Sequence, residues 1–276
     1  MRGDPHERAA ARLIAARSGL GFGPRPGLPP EPEPTALAAI ALDDADARRW
    51  LAENQRGDGG FALVAGDVVS DSATALAALA LPPGDARERA VDHVLTHRAQ
   101  PLPANPASPH DPDTRGWGWT SDTFGWVEPT ARSLLALHVL RPSADTAIRD
   151  GLALLTDREC RGGGWNYGNR VVLGVDLPPY AQTTAAALIG LQGAEPALYA
   201  RGLDALVRLW PAERGGLSLA MALAAFRLAG ARAEGDARAA LAEELDRTAL
   251  LDDVVALAWA AIATGPGLET LRRAAP

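Results

Sequence analysis

One unit recurs along this chain and constrains its fold more than any single residue does. A Gly/aromatic stretch is followed by a Pro or Thr and then by a run of Ala and Leu. Gly21-Phe22-Gly23 leads to Glu33-Pro34-Thr35-Ala36 and a run ending at Leu42, and Gly59-Gly60-Phe61 leads to Ser72-Ala73-Thr74-Ala75 and a run ending at Leu81. Gly116-Trp117-Gly118-Trp119 leads to Glu128-Pro129-Thr130-Ala131 and on to Leu140, and Gly163-Gly164-Trp165 leads to Gln182-Thr183-Thr184-Ala185 and on to Leu191. Two weaker copies follow, Gly215-Gly216 with Leu217 to Leu228 and Asp252-Asp253 with Val254 to Ala263. Self-similarity of this kind means that each unit is one supersecondary element that cannot bury its apolar face alone, so neighbouring units must pack together.

Between the apolar runs lie more polar segments, near residues 5–18, 44–54, 85–98, 144–158, 196–209 and 235–247. Each places apolar residues at i, i+3, i+4 with Arg, Asp and Glu on the other face, the pattern of a helix with one buried side. A helix that is apolar all round must be enclosed, so the Ala/Leu runs form an inner layer and the amphipathic segments an outer one. Composition agrees: Ala is abundant, β-branched residues are sparse and aromatics make up only 5% of the chain, a balance that favours helix over sheet. Pro34 and Pro129 stand where a first-turn proline is tolerated, and Asp43, Asp85 and Ser143 are the expected caps. Helices joined by short turns run antiparallel. The expectation is therefore an all-α, (α/α)6 toroid over residues 1–276 as a single domain, with inner helices near 35–42, 74–81, 130–140, 184–192, 217–229 and 254–263. All inner helices should start at the same end of the barrel.

Charge and composition exclude several classes of partner. A net charge of −7 disfavours nucleic acid and anionic membrane surfaces. All 27 cationic side chains are Arg, which removes lysine Schiff-base chemistry. The single Cys160 leaves no intramolecular disulfide and no Cys-rich metal site. No stretch approaches the ~18 apolar residues of a membrane span, and residues 1–19 lack a signal-peptide pattern, so a cytoplasmic location is expected. No metal or other cofactor is expected.

Trp50-Leu51 through Gln55, Asp58, Gly59, Gly60 and Phe61 resembles the Gln–Gly–aromatic repeat of squalene and oxidosqualene cyclases. The stretch from Cys160-Arg161-Gly162-Gly163-Gly164-Trp165 to Asn169, with Pro178-Pro179-Tyr180 and Gln182-Thr183-Thr184, looks like the bacterial prenyltransferase and squalene-cyclase repeat proteins. The resemblance covers roughly residues 19 to 263 and implies the terpenoid cyclase/protein prenyltransferase fold. It does not carry over each activity's own residues. Where squalene-type cyclases place Asp-x-Asp-Asp-Thr-Ala, the second repeat reads Ser70-Asp71-Ser72-Ala73-Thr74-Ala75. The prenyltransferase zinc site pairs an Asp-x-Cys with a distant His, and Cys160 follows Asp157 and Glu159 at the wrong spacing. The Cys-Gly-Glu-Gln of thioester domains is replaced by Cys160-Arg161-Gly162-Gly163.

Carboxylates stand at other inner-helix starts. Glu33 and Glu128 precede Pro-Thr-Ala, and Asp252-Asp253 fall on the third and fourth positions of the cyclase motif in the sixth repeat. Two close carboxylates retain a proton between them, which alkene or epoxide protonation requires; the same residues could equally cap their helices. Asp252 or Asp253 is thus the expected acid, with Glu128 as helper. Nine of the fourteen aromatic residues fall in the loops feeding the inner helices. Of these, Phe61, Trp119, Trp126, Trp165, Tyr167 and Tyr180 are the expected walls for an isoprenoid chain, since aromatic faces attract a carbocation by roughly 0.5–2 kcal/mol each. Trp165 and Phe61, following Gly-Gly, could instead serve to pack their turns.

Lesser motifs have plainer readings. Asp43-Asp44-Ala45-Asp46 imitates a magnesium motif but opens an outer helix, where capping accounts for it. His93 and His97 lie at i, i+4 with no third ligand evident, and His138 inside an inner run reads as a hydrogen-bonded core residue. Residues 100–112 form the one long irregular loop, a lid or an insertion. With no Arg cluster for a diphosphate, and acids at the inner-helix starts making the mouth acidic, the expected ligand is a neutral or cationic isoprenoid. The expected function is a toroid binding such a chain in its central cavity, as a small class II-type cyclase or as a non-catalytic isoprenoid-binding or protein-interaction scaffold; no particular protein partner is indicated.

Overall fold

The computed structural model describes residues 3–63, 71–103, 108–120 and 122–273. Helix α1 (Pro5–Ala15) is followed by α2 (Pro32–Leu42), α3 (Ala45–Glu53), α4 (Asp71–Ala80), α5 (Asp85–Thr96), α6 (Val127–Leu140), α7 (Asp145–Asp157), α8 (Ala181–Leu191), α9 (Pro196–Leu209), α10 (Gly216–Ala229), α11 (Glu234–Thr248) and α12 (Val254–Thr264). Strand pairing among the described residues is confined to two short hairpins and one isolated bridge. The hairpins are β1 (Arg17–Ser18) with β2 (Gly21–Phe22) and β3 (Val171–Val172) with β4 (Val175–Asp176).

The even-numbered helices form the inner ring. Each packs on the next, and α12 packs back on α2, so the ring is closed. The two kinds of helix differ as their sequences require. Ten of the eleven residues of α8 are buried, whereas α9 buries only Leu198, Gly202, Ala205 and Leu206, a single stripe at helical spacing. Helices α3, α5, α7, α9 and α11 each pack on the inner helix that precedes them, and α1 packs mainly on α12. The sixth hairpin is thus made from the two ends of the described chain. Small residues let the inner helices approach closely. A Cβ on Gly190 of α8 would lie 2.4 Å from the Ala131 carbonyl oxygen of α6, so only glycine fits this crossing.

The repeat itself is a latch between layers. Thr35, Thr74, Thr130 and Thr184, each in the first turns of an inner helix, accept the backbone N–H of Phe22, Phe61, Trp117 and Trp165 at 2.9, 2.9, 3.0 and 3.0 Å. The Thr35, Thr130 and Thr184 hydroxyls also donate to the carbonyl of the same aromatic residue. The Trp117 and Trp165 indoles reach outward and donate to carbonyls near the ends of outer helices, Val94 of α5 and Leu155 of α7. Gly164, at φ +80°, leaves no room for a Cβ beside the Thr184 hydroxyl. Gly, aromatic and Thr therefore recur together because each unit ties an outer helix end to the next inner helix start.

Three expected caps move by one residue. Asp44, not Asp43, caps α3 through the Ala47 amide, because Asp43 is used in the left-handed turn that ends α2. Gly84 and Ala144 occupy the cap positions of α5 and α7, placing Asp85 inside its helix and Ser143 outside. Asp44 and Asp46, bonded to Ala47 N–H and Arg49, have the capping and surface roles expected of that acidic run.

The long loop before α6 is fastened at His110. This buried ring bonds Asp157 at the end of α7, and the other Asp157 oxygen accepts the Asp111 amide. Burial opposes the Asp157 charge, but His110, the Asp111 amide and Arg158 outweigh it and hold the carboxyl below its ordinary range. A depressed carboxyl contributes stability above its unfolded pKa of about 3.9 and loses it as pH falls through the folded value. Asp157→Asn should therefore cost roughly 1–3 kcal/mol at pH 7, and the gap to wild type should close on acidification below about pH 4. Urea unfolding at a series of pH values checks this; a gap that widens in acid would contradict it.

Candidate functional site

The starts of the inner helices gather at one end, and their alignment is visible in the axis. A small cavity is lined by the sixth residue of five inner helices: Leu76 of α4, Arg132 of α6, Ala186 of α8, Met221 of α10 and Trp259 of α12. At 1.5 Å per residue this layer lies about 7–8 Å below the helix starts. The cavity volume is only about 10 Å³, room for one water. Aliphatic side chains such as Leu135 and Ile189 complete its wall.

Arg132 is the centre of the site. One guanidinium nitrogen lies 2.8 Å from Glu33 of α2 and 2.8 Å from the Ser72 hydroxyl of α4, and another lies 2.6 Å from Glu128 one turn earlier on α6. Three inner helices are thereby tied together beneath the mouth. Burial works against the Arg132 charge, but Glu33 and Glu128 outweigh it and hold the guanidinium above its ordinary value. Two carboxylates against one guanidinium leave the cluster a net −1. Trp119 lies over the cluster, its ring 5.8 Å from the guanidinium carbon.

A second group of aromatics flanks the first. Trp126 occupies the cap position of α6 and Tyr180 that of α8. The Val127 amide donates to the Tyr167 carbonyl, which brings the loop after α7 against the start of α6. Tyr167 and Tyr180 are exposed, with ring centres 5.4 Å apart. Trp119, Trp126, Tyr167 and Tyr180 thus meet around the starts of α6 and α8, as a mouth requires.

Of the other expected site residues, Glu128 belongs to the Arg132 cluster and the rest lie elsewhere. Asp252 faces outward and bonds Arg12 of α1 at 2.8 Å, while Asp253 accepts the Ala256 amide as the cap of α12. Each carboxylate is held by a different donor. Glu128 is bonded to Arg132 and acts as an acceptor. Phe61 and Trp165 are fully enclosed in the latch between layers, with Trp165 tight against Gly202 of the outer helix α9, so they pack the shell instead of lining the axis. The Asp71 side chain, another carboxylate expected at the mouth, lies outside the described residues.

Within the core the His138 Nδ1–H donates to the Gly190 carbonyl oxygen at 3.0 Å. Burial first, and then Arg273, lower its pKa. His93 and His97 stack on each other, and no group of three possible metal ligands occurs among the described residues.

Arg132 and Trp259 were not identified from the sequence. The signal for Arg132 was a cation placed four residues after Glu128 inside a run otherwise fit for burial, where only an ion pair could accommodate it. Trp259 had no local signal beyond its size in an Ala-rich helix.

No protein-family model matches the sequence, and no curated protein does. Solved structures do match by shape. A protein from Actinoplanes is 16% identical with a TM-score of 0.61, over 97% of this chain and 98% of that one. Two variants of the type II terpene cyclase MstE from Scytonema, each in complex with its substrate geranylgeranyl dihydroxybenzoate, are 17% and 14% identical with TM-scores of 0.58 and 0.60. They align over 88% and 96% of this chain and 77% and 97% of theirs. The fold is that of a terpenoid cyclase-like α/α toroid. No helix is long and apolar enough to cross a membrane among the described residues.

Proposed function

We propose that this protein binds a neutral isoprenoid chain at the mouth of the toroid. The observation that carries this reading is the gathering of Trp119, Trp126, Tyr167 and Tyr180 around a buried cluster of net −1 charge, directly above an aliphatic axial layer. Aromatic faces and aliphatic walls suit isoprene units, and the negative cluster repels a diphosphate. The shared fold with a cyclase that holds a geranylgeranyl substrate supports the same ligand class. The axis is nearly filled, so the chain lies mainly across the mouth with its tip directed inward. Titration with geranylgeraniol and with geranylgeranyl diphosphate, followed by tryptophan fluorescence, tests the proposal. Saturable binding of the alcohol, at least ~10-fold tighter than the diphosphate, is expected. No binding, or preference for the diphosphate, would overturn it.

A second reading, acid-catalysed cyclisation, is favoured by one group at the mouth. Glu31, at the start of α2, makes no capping hydrogen bond, and burial followed by the neighbouring Glu33 holds its carboxyl above the ordinary range. A carboxyl raised above its ordinary range is better matched to giving a proton to an alkene or epoxide. Incubation with squalene, its epoxide and the farnesyl and geranylgeranyl diphosphates decides the matter. Product lost in Glu31→Gln assigns this acid, product lost in Asp252→Asn or Asp253→Asn assigns the pair on α12, and no product from wild type leaves binding alone.

A further inference from the structure

Two residues that line the axial cavity each carry a buried N–H group with no acceptor among the described residues. Arg132 uses its terminal nitrogens on Glu33, Ser72 and Glu128, but its Nε has no hydrogen-bond partner among the described residues. The Trp259 Nε1 has none either. Both residues are more than nine-tenths buried, at 7% and 2% exposure, and both line the same cavity. The contrast with the other enclosed indoles is instructive: Trp117 and Trp165 each donate to a carbonyl at 2.8 and 2.7 Å. Buried polar groups are ordinarily paired, so two unpaired donors from opposite parts of the ring, sharing one cavity, point to an acceptor supplied from outside the chain.

We infer that the axial cavity is a binding site for a single carbonyl oxygen at the end of an isoprenoid chain, held by the Trp259 Nε1–H and the Arg132 Nε–H. This rests on the isoprenoid-binding reading and narrows its ligand. The volume of about 10 Å³ suits one oxygen atom. A carbonyl oxygen brings two lone pairs and no proton, which matches two donors; an alcohol would bring a donor of its own. A carboxylate or phosphate would add negative charge beside a cluster that is already net −1. The aliphatic neighbours Leu76, Leu135, Ile189 and Met221 suit the carbons behind the oxygen, and the unbranched Met221 adapts most easily to them.

The test compares two C15 ligands of similar shape, farnesal and the hydrocarbon β-farnesene, against wild type and Trp259→Phe. Wild type should bind farnesal about 10-fold tighter, the effect of one to two hydrogen bonds, and the preference should fall about 3-fold in Trp259→Phe, where the Arg132 Nε–H alone remains. A readout independent of the variant is the infrared carbonyl stretch of carbon-13-labelled farnesal, which should move to lower frequency on binding wild type. Equal affinity for the two ligands, or an unshifted carbonyl stretch, overturns this inference while leaving isoprenoid binding intact. A preference retained in full by a folded Trp259→Phe also overturns it. Failure of both ligands to bind wild type overturns the isoprenoid-binding reading and this inference with it.

Discussion

Arg132→Met should destabilise the protein by about 3–5 kcal/mol, the usual result of stripping one partner from a buried ion cluster. Methionine keeps an unbranched apolar stem of similar bulk, so what chiefly disappears is the guanidinium charge opposite Glu33 and Glu128. Glu128 is 5% exposed and cannot turn to water without moving the start of α6. Ser72 loses its donor as well, and α2, α4 and α6 lose the tie that holds their starts together. The triple variant Arg132→Met, Glu33→Gln, Glu128→Gln should recover most of the loss, because a neutral cluster has no uncompensated charge to bury. Urea unfolding of the three proteins measures both steps. A single variant within about 1 kcal/mol of wild type would mean that the cluster is solvated like a surface pair, and an unrecovered triple variant would mean that the cost lies in packing.

The ring was legible in the sequence because it follows from burial alone. An Ala/Leu run with no polar face has one physical solution, enclosure, and the alternation with one-sided helices leaves little choice of architecture. What the alternation does not encode is how side chains meet across helices. Arg132 bonds Glu33, 99 positions away in the chain with α3, α4 and α5 between them, and only the closed ring brings them together. The pairing of α1 with α12 is equally non-local. The aromatic residues divided along a line that local sequence marks only faintly. Those directly following the repeat glycines, Phe22, Phe61, Trp117 and Trp165, are bonded through their backbone to the threonine of the next helix and are enclosed. Those beyond that point, Trp119, Trp126, Tyr167 and Tyr180, reach the mouth. The recurring threonine was the available clue, since a hydroxyl at a fixed place in an otherwise apolar run needs a buried partner. The partners of Asp252 and Asp253 were not legible either: adjacent in sequence at a helix start, they point to different groups, Arg12 and the Ala256 amide.

This division of the aromatics makes Trp165→Ala and Trp126→Ala behave differently. Trp165 is fully buried, donates to Leu155, and fills the space against Gly202. Its removal leaves a large cavity between α8 and the outer layer and should cost about 3–5 kcal/mol, lowering Tm by roughly 10 °C for a chain of this size. Ligand binding to the folded fraction should persist, because the Trp165 indole packs in the shell and its carbonyl, which accepts the Tyr180 amide, is kept by alanine. Trp126 is only partly buried, at the start of α6, so its truncation should cost about 1 kcal/mol or less yet weaken isoprenoid binding by about 10-fold, as expected for an aromatic contact residue. Thermal unfolding and fluorescence titration of the two variants separate the roles. The reverse pattern, a stable Trp165→Ala that no longer binds ligand, would move the site from the mouth into the space between the layers, where the latch could no longer be read as structural.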